Sequence, residues 1–81
     1  MSAHLVAVRP LRDFHLEMEF SNGSRAIVNM ENRIRSIRFA RLASSDFFAS
    51  AKAEGDRIVW SDGATSFSVY CNEILDTLLM D

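Results

Sequence analysis

Hydrophobic and polar residues alternate most regularly between Phe14 and Phe20, where Phe14, Leu16, Met18 and Phe20 are separated by His15, Glu17 and Glu19. A period of two gives a strand one dry face and one wet face. Upstream, Leu5-Val6-Ala7-Val8 is short, apolar and β-branched, and Pro10 marks its edge or end, so residues 5–12 read as a strand. Downstream, Ser21-Asn22-Gly23 is a turn signal, and Ser24 to Met30 returns as a third strand. The register of this hairpin follows from what each choice buries. A two-residue loop at Asn22-Gly23 would set Phe20 opposite Arg25 and Met18 opposite Ile27, and would carry Arg25 and Asn29 onto the dry face. A three-residue loop with Gly23 left-handed sets Phe20 against Ser24, Met18 against Ala26, Leu16 against Val28 and Phe14 against Met30. It also places Glu19 across from Arg25 on the wet face. The second register keeps the arginine out of the core and is the one expected.

Residues 31–50 have no sustained period. Ile34, Ile37 and Leu42 have loose helical spacing and Phe39 is out of phase, which predicts turns and single helical turns with Phe39, Leu42 and Phe47 directed inward. Ser45-Asp46 could cap a brief helix over 46–49. Residues 49–54 and 57–60 predict a second hairpin around Glu54-Gly55-Asp56, leading to Ile58 and Trp60. The triplet Ser61-Asp62-Gly63 repeats the chemistry of the first turn. From about 69 to 80, Tyr70, Ile74, Leu75, Leu78 and Leu79 fall on one side and Asn72, Glu73, Asp76 and Thr77 on the other, which predicts an amphipathic helix with Ser68 as N-cap. The expected fold is α+β: a small, mostly antiparallel sheet of about five short strands, covered by the C-terminal helix.

The chain of 81 residues is short enough to be a single domain, 1–81. A hydrophobic fraction of 48% and a charged fraction of 25% are those of a globular chain rather than a disordered one. No apolar run reaches the ~18 residues of a membrane helix. The start, Met1-Ser2-Ala3-His4, lacks the basic-then-apolar layout of a signal peptide, so the expected location is cytoplasmic. A domain of this size commits most of its apolar side chains to its core or to an oligomer interface, and keeps little for a deep enzyme pocket.

Charge is uneven. Residues 1–41 carry seven arginines against four acids, and residues 42–81 carry Lys52 and Arg57 against seven acids, so a balance of +3 is followed by one of -5. A two-signed surface suits self-association or a polar protein partner better than general nucleic-acid binding, whose footprint is basic excess. Arg33, Arg35, Arg38 and Arg41 put four guanidiniums in nine residues with no acid among them. They are the candidate binding residues for an anion, an acidic partner or a nucleic-acid backbone, against the alternative of a solvated loop balanced by the acidic half. Only Phe39 lies inside the run, so base stacking is weakly supported.

No catalytic constellation is evident. His15, Glu17 and Glu19 share one strand face, but a metal would need a further group from elsewhere, and alternating polar residues are the ordinary composition of a wet face. Cys71 has no triad signal and fits a small packed side chain. One cysteine and two histidines leave too few ligands for a standard zinc site. The expectation is no enzyme, no cofactor and no metal.

Val6-Ala7-Val8-Arg9-Pro10-Leu11, the hairpin Leu16 to Gly23, the apolar middle with Phe39, Leu42 and Phe47, and Ile58-Val59-Trp60-Ser61-Asp62-Gly63-Ala64 together resemble the small bacterial domain of unknown function 2442. Trp60, Asp62 and Gly63 form its signature turn. The chain departs from the family pattern at Asn29 and Thr65, where the family carries aspartates, and at Ser61, where it carries proline. The resemblance implies a small α+β domain without an assigned activity. Some relatives are fused to helix-turn-helix domains, and others are encoded beside small partners in toxin–antitoxin-like pairs. The expected function is therefore a non-catalytic protein-interaction module of bacterial origin, the antitoxin-like half of a small two-protein pair or a self-associating domain. A nucleic-acid-binding regulator using the arginines at 33–41 is the alternative.

Overall fold

The structure is a computed structural model and describes residues 4–74. The chain runs through β1 (Leu5–Pro10), a 3-10 turn at Arg12–Phe14, β2 (His15–Phe20), β3 (Arg25–Asn29), 3-10 turns at Arg33–Arg35 and Ala40–Ala43, α1 (Ser45–Phe48), β4 (Lys52–Glu54), β5 (Arg57–Ser61) and β6 (Ser66–Tyr70). Residues 71–74 are helical.

The fold is α+β, but the strands form two three-stranded antiparallel sheets, in the orders β1-β2-β3 and β4-β5-β6, rather than one sheet of five. The added strand is β6. Its period-two pattern, Phe67 and Val69 between Ser66, Ser68 and Tyr70, overlaps the helical spacing that begins at Tyr70. Pairing with β5, Trp60 opposite Phe67 and Ile58 opposite Val69, decides the conflict in favour of strand. Ser68 is consequently a strand residue and not an N-cap. The first helical residues follow Tyr70, whose backbone N–H donates to Glu73 Oε2 at 3.0 Å, the reach-back half of a capping box. The rest of the expected helix, 75–80, lies outside the described residues.

The first hairpin has the three-residue register. Leu16 faces Val28, Met18 faces Ala26 and Glu19 faces Arg25, while Phe20 N–H donates to Ser24 O and Met30 N–H to Phe14 O. Gly23 takes φ 86°, the left-handed conformation that only glycine adopts without strain. β4 and β5 form the second expected hairpin, with Glu54 paired to Arg57 and therefore a tighter loop, Gly55-Asp56, than the triplet read from sequence.

The strand expected over 5–12 stops at Pro10. Asp13 and Phe14 both take φ 58°, which breaks extension and turns the chain into β2. Such backbone costs of order 1–3 kcal/mol for a side-chain-bearing residue and persists only when surrounding structure imposes it. Three contacts do so here: Leu11 N–H donates to His15 O, Met30 N–H donates to Phe14 O, and the Phe14 ring packs edge-on to Phe48 at 5.3 Å. The middle segment consists of single turns as expected, with Leu42 and Phe47 buried and Phe39 half-buried. The cap of α1 is Ser44, one residue before the expected pair, and its side chain accepts from Phe47 N–H.

One core joins the layers. Leu16, Met18 and Val28 from the first sheet and Met30 just after it meet Ile58, Trp60 and Val69 from the second, with Leu42, Phe47 and Phe48 in the same cluster. Phe14, Phe48, Trp60, Phe67 and Phe39 follow one another as ring neighbours at 5.3 to 6.5 Å. This aromatic chain crosses from one sheet to the other through α1, which places the most costly-to-expose surface at their junction.

Candidate interaction surface

The arginine segment lies along the second sheet and the helical turn after it. The Arg33 guanidinium donates to Ile74 O at 3.2 Å, Arg38 to Glu73 Oε1, and Arg41 to Ser66 O at 3.3 Å. Arg38 also stands over the Phe39 ring, 5.2 Å from its centroid. Arg38 lies in a turn and Arg41 in the 3-10 turn that follows, with Phe39 between them at φ -104°, ψ 11°, so the two do not share one helix. Three of the four candidates are thus engaged by acceptors of their own chain. Arg35 is exposed and its guanidinium has no partner among the described residues. Glu73, gripped by Arg38 and by the Tyr70 N–H, is held below the usual carboxylate range.

These contacts have a consequence for strand edges. Two open sheets present four: β1, β3, β4 and β6. β1 lies against β4, and Asp56 Oδ1 accepts from the Leu5 N–H at 3.4 Å. On β6, the Cys71 N–H donates inward to Asp56 O, so the peptide groups of Ser66, Ser68 and Tyr70 point outward. Arg41 takes Ser66 O and Glu73 takes the Tyr70 N–H. All four are hydrogen-bonded on one side only; β1 and β4 lie against each other, β6 has two of its outward groups taken, and β3 has neither such a neighbour nor such a cap among the described residues.

The ladder between β2 and β3 fixes what β3 shows. Bonds at Phe20–Ser24 and Met30–Phe14 make 24, 26, 28 and 30 the inward-bonded positions, so the peptide groups of Arg25, Ile27 and Asn29 face away from β2. The same three side chains lie on the wet face. Ile27 is 60% exposed, between Arg25 and Asn29. Behind it on that face, Arg9 bridges Glu17 at 3.3 Å and Glu19 at 2.8 Å. The Arg9 hydrogen bond is the main cause that holds Glu19 below its usual range, and Arg25 adds to it. Ile27 is the surface residue that sequence reasoning did not single out, although the expected register already put it on the wet face.

The other sequence-predicted residues are structural in their contacts. Trp60 is fully buried, and its indole N–H has no partner among the described residues. Asp62 Oδ1 accepts from the backbone N–H groups of Ala64 at 2.9 Å and Thr65 at 2.7 Å, which closes the turn and depresses its carboxyl. Gly63, at φ 91°, is the left-handed residue of that turn. Glu17 and Glu19 are occupied by Arg9, and His15 Nδ1 lies 3.1 and 3.0 Å from the carbonyl oxygens of Arg12 and Asp13. Both partners are acceptors, so that ring nitrogen carries the proton. Among the described residues no three His, Cys, Asp or Glu side chains converge as metal ligands. Cys71 is buried, and burial, followed by the charge of Asp56, pushes its thiol up, away from the nucleophilic thiolate. A shallow cavity of about 670 Å³ opens beside the Pro10–His15 turn, floored by Phe14 and Phe48. Among the described residues no helix is long and apolar enough to cross a membrane.

Fold and surface together define a small α+β domain of two antiparallel sheets in which the β3 edge has neither a neighbouring strand nor a side-chain cap among the described residues. Compared with known proteins, the chain matches no family model, no curated protein and no solved structure.

Proposed function

We propose that the protein is a non-catalytic interaction module that recognises another polypeptide through the edge of β3. The observation that carries this reading is the contrast between edges: three lie against neighbouring chain or are capped by side chains, while β3 offers outward peptide groups at Arg25, Ile27 and Asn29 beneath a 60% exposed isoleucine. An unpaired row of N–H and C=O groups adds a strand readily, with main-chain bonds for affinity and side chains for specificity. The resemblance to the domain of unknown function 2442 supports a small partner protein, in the manner of an antitoxin-like half. The engagement of Arg33, Arg38 and Arg41 within the chain weighs against a phosphate-binding patch built from all four arginines.

Affinity capture with the tagged protein tests the reading. A stoichiometric polypeptide, a second copy of the chain included, is expected to co-purify with the wild type and to be lost with Ile27→Pro. Proline removes an N–H that faces away from β2, so the native ladder survives while the added strand does not. Capture that is unchanged by Ile27→Pro, or no captured polypeptide at all, would overturn it.

A further inference from the structure

We propose that the occupant of the β3 edge is a second copy of the same strand, paired antiparallel about a two-fold axis through Ile27, so that two three-stranded sheets become one of six strands. This rests on the reading of β3 as the recognition edge and adds the identity and register of the partner.

The register follows from the outward positions. Arg25, Ile27 and Asn29 are the β3 residues whose peptide groups point away from β2. Centring the axis on Ile27 sets Ile27 opposite its equivalent and Arg25 opposite Asn29 on both sides, which engages all three positions in hydrogen-bonded pairs. Shifting the axis to Arg25 leaves fewer pairs and sets two guanidiniums against each other, which is unfavourable for directly opposed residues. Centring on Asn29 takes Arg25 out of the ladder. The Ile27-centred pairing is thus the one in which outward bonds, apolar contact and charge agree.

The surroundings favour the same arrangement. Each Arg25 already faces Glu19 across its own sheet, so its charge enters the interface compensated. The Asn29 side chain accepts from the Glu31 N–H at 2.9 Å, a local turn that ends β3 one residue before Met30. Ile27, exposed in the single chain, gains an apolar neighbour from its equivalent. An isologous contact closes on itself at two copies, and Ser66 O and the Tyr70 N–H, already engaged by Arg41 and Glu73, disfavour further growth along β6.

The position of the axis makes the test specific. A residue on a two-fold meets itself, so like charges placed there repel and a mixture of opposite charges restores the pair. The wild type is expected to sediment with twice the mass of one chain as its concentration rises from micromolar to millimolar. Ile27→Lys alone and Ile27→Glu alone are each expected to stay single, with at least about tenfold weaker association. An equimolar mixture of the two is expected to regain the dimer. Circular dichroism of each variant shows that the fold is kept, and the regained dimer shows it independently. A wild type that remains single at every concentration overturns the inference, as does a dimer that persists in Ile27→Lys or a mixture that fails to re-associate. A single-chain protein that still captures a different polypeptide through Ile27 would leave the recognition edge standing and remove only its self-pairing. A protein that does neither removes both.

Discussion

Asp62, Glu19 and Glu73 bind their protons less readily in the folded chain than in the unfolded one. The causes are backbone N–H groups of Thr65 and Ala64 for Asp62, Arg9 for Glu19, and Arg38 for Glu73. A depressed carboxyl contributes stability that is complete above its unfolded value, near 4, and is lost as pH falls through the lower folded value. The melting temperature is therefore expected to be level from about pH 7 to about pH 5 and to fall below about pH 4. Asp62→Asn should melt lower than the wild type at neutral pH, with the gap closing in acid where the aspartate is itself neutral; a gap independent of pH would contradict this. Trp60 is the second residue with a measurable signature. Trp60→Ala should cost about 3–5 kcal/mol in denaturant unfolding, as expected for emptying a fully buried aromatic site. Trp60→Phe should cost less than half of that, because it also deletes a buried N–H that has no acceptor among the described residues, a group that costs about 1–3 kcal/mol.

Elements in this chain are held by their ends. The Phe20-to-Ser24 loop depends on a left-handed Gly23 around which there is open space, so a methyl group there meets no neighbour and the penalty is conformational alone. Gly23→Ala should cost about 1 kcal/mol in thermal or denaturant unfolding while leaving the strand register intact in backbone chemical shifts. The short elements between residues 33 and 48 lie below the length at which a helix sustains itself, and hold because Leu42, Phe47 and Phe48 are buried. The strand-to-helix change at Tyr70 is an equally local decision. Its N–H is taken by Glu73, and Arg38 in turn orients Glu73, so an arginine flagged as a ligand for something else positions the start of the C-terminal turn.

For the whole molecule the informative quantity is how many sheet edges remain. Arg41 caps Ser66 O on β6, which makes it a barrier to growth of the second sheet. Arg41→Ala is expected to keep the fold and to produce assemblies larger than two chains in light scattering at high concentration, since each copy would then have two usable edges. Arg41→Lys, which restores charge and a donor, should suppress most of that growth. Size exclusion that shows Arg41→Ala no larger than the wild type would mean that Arg41 does not guard the edge.

Periodicity alone settled the elements whose pattern is short-range and unopposed: the Phe14-to-Phe20 alternation, the register of its hairpin, and the two Gly-containing turns at 21–23 and 61–63. Each is decided by neighbours within about ten residues and by the cost of burying an arginine or straining a backbone. Tertiary contact decided the rest. Residues 66–70 satisfy two periods at once, and only the presence of β5 alongside makes the strand the lower-energy choice. The roles of Arg33, Arg38 and Arg41 were hidden because their acceptors, Ile74, Glu73 and Ser66, lie 25 to 41 residues away along the chain. Which edge stays open is likewise a sum over the entire fold, and a linear pattern holds no record of what the other edges have found to bond.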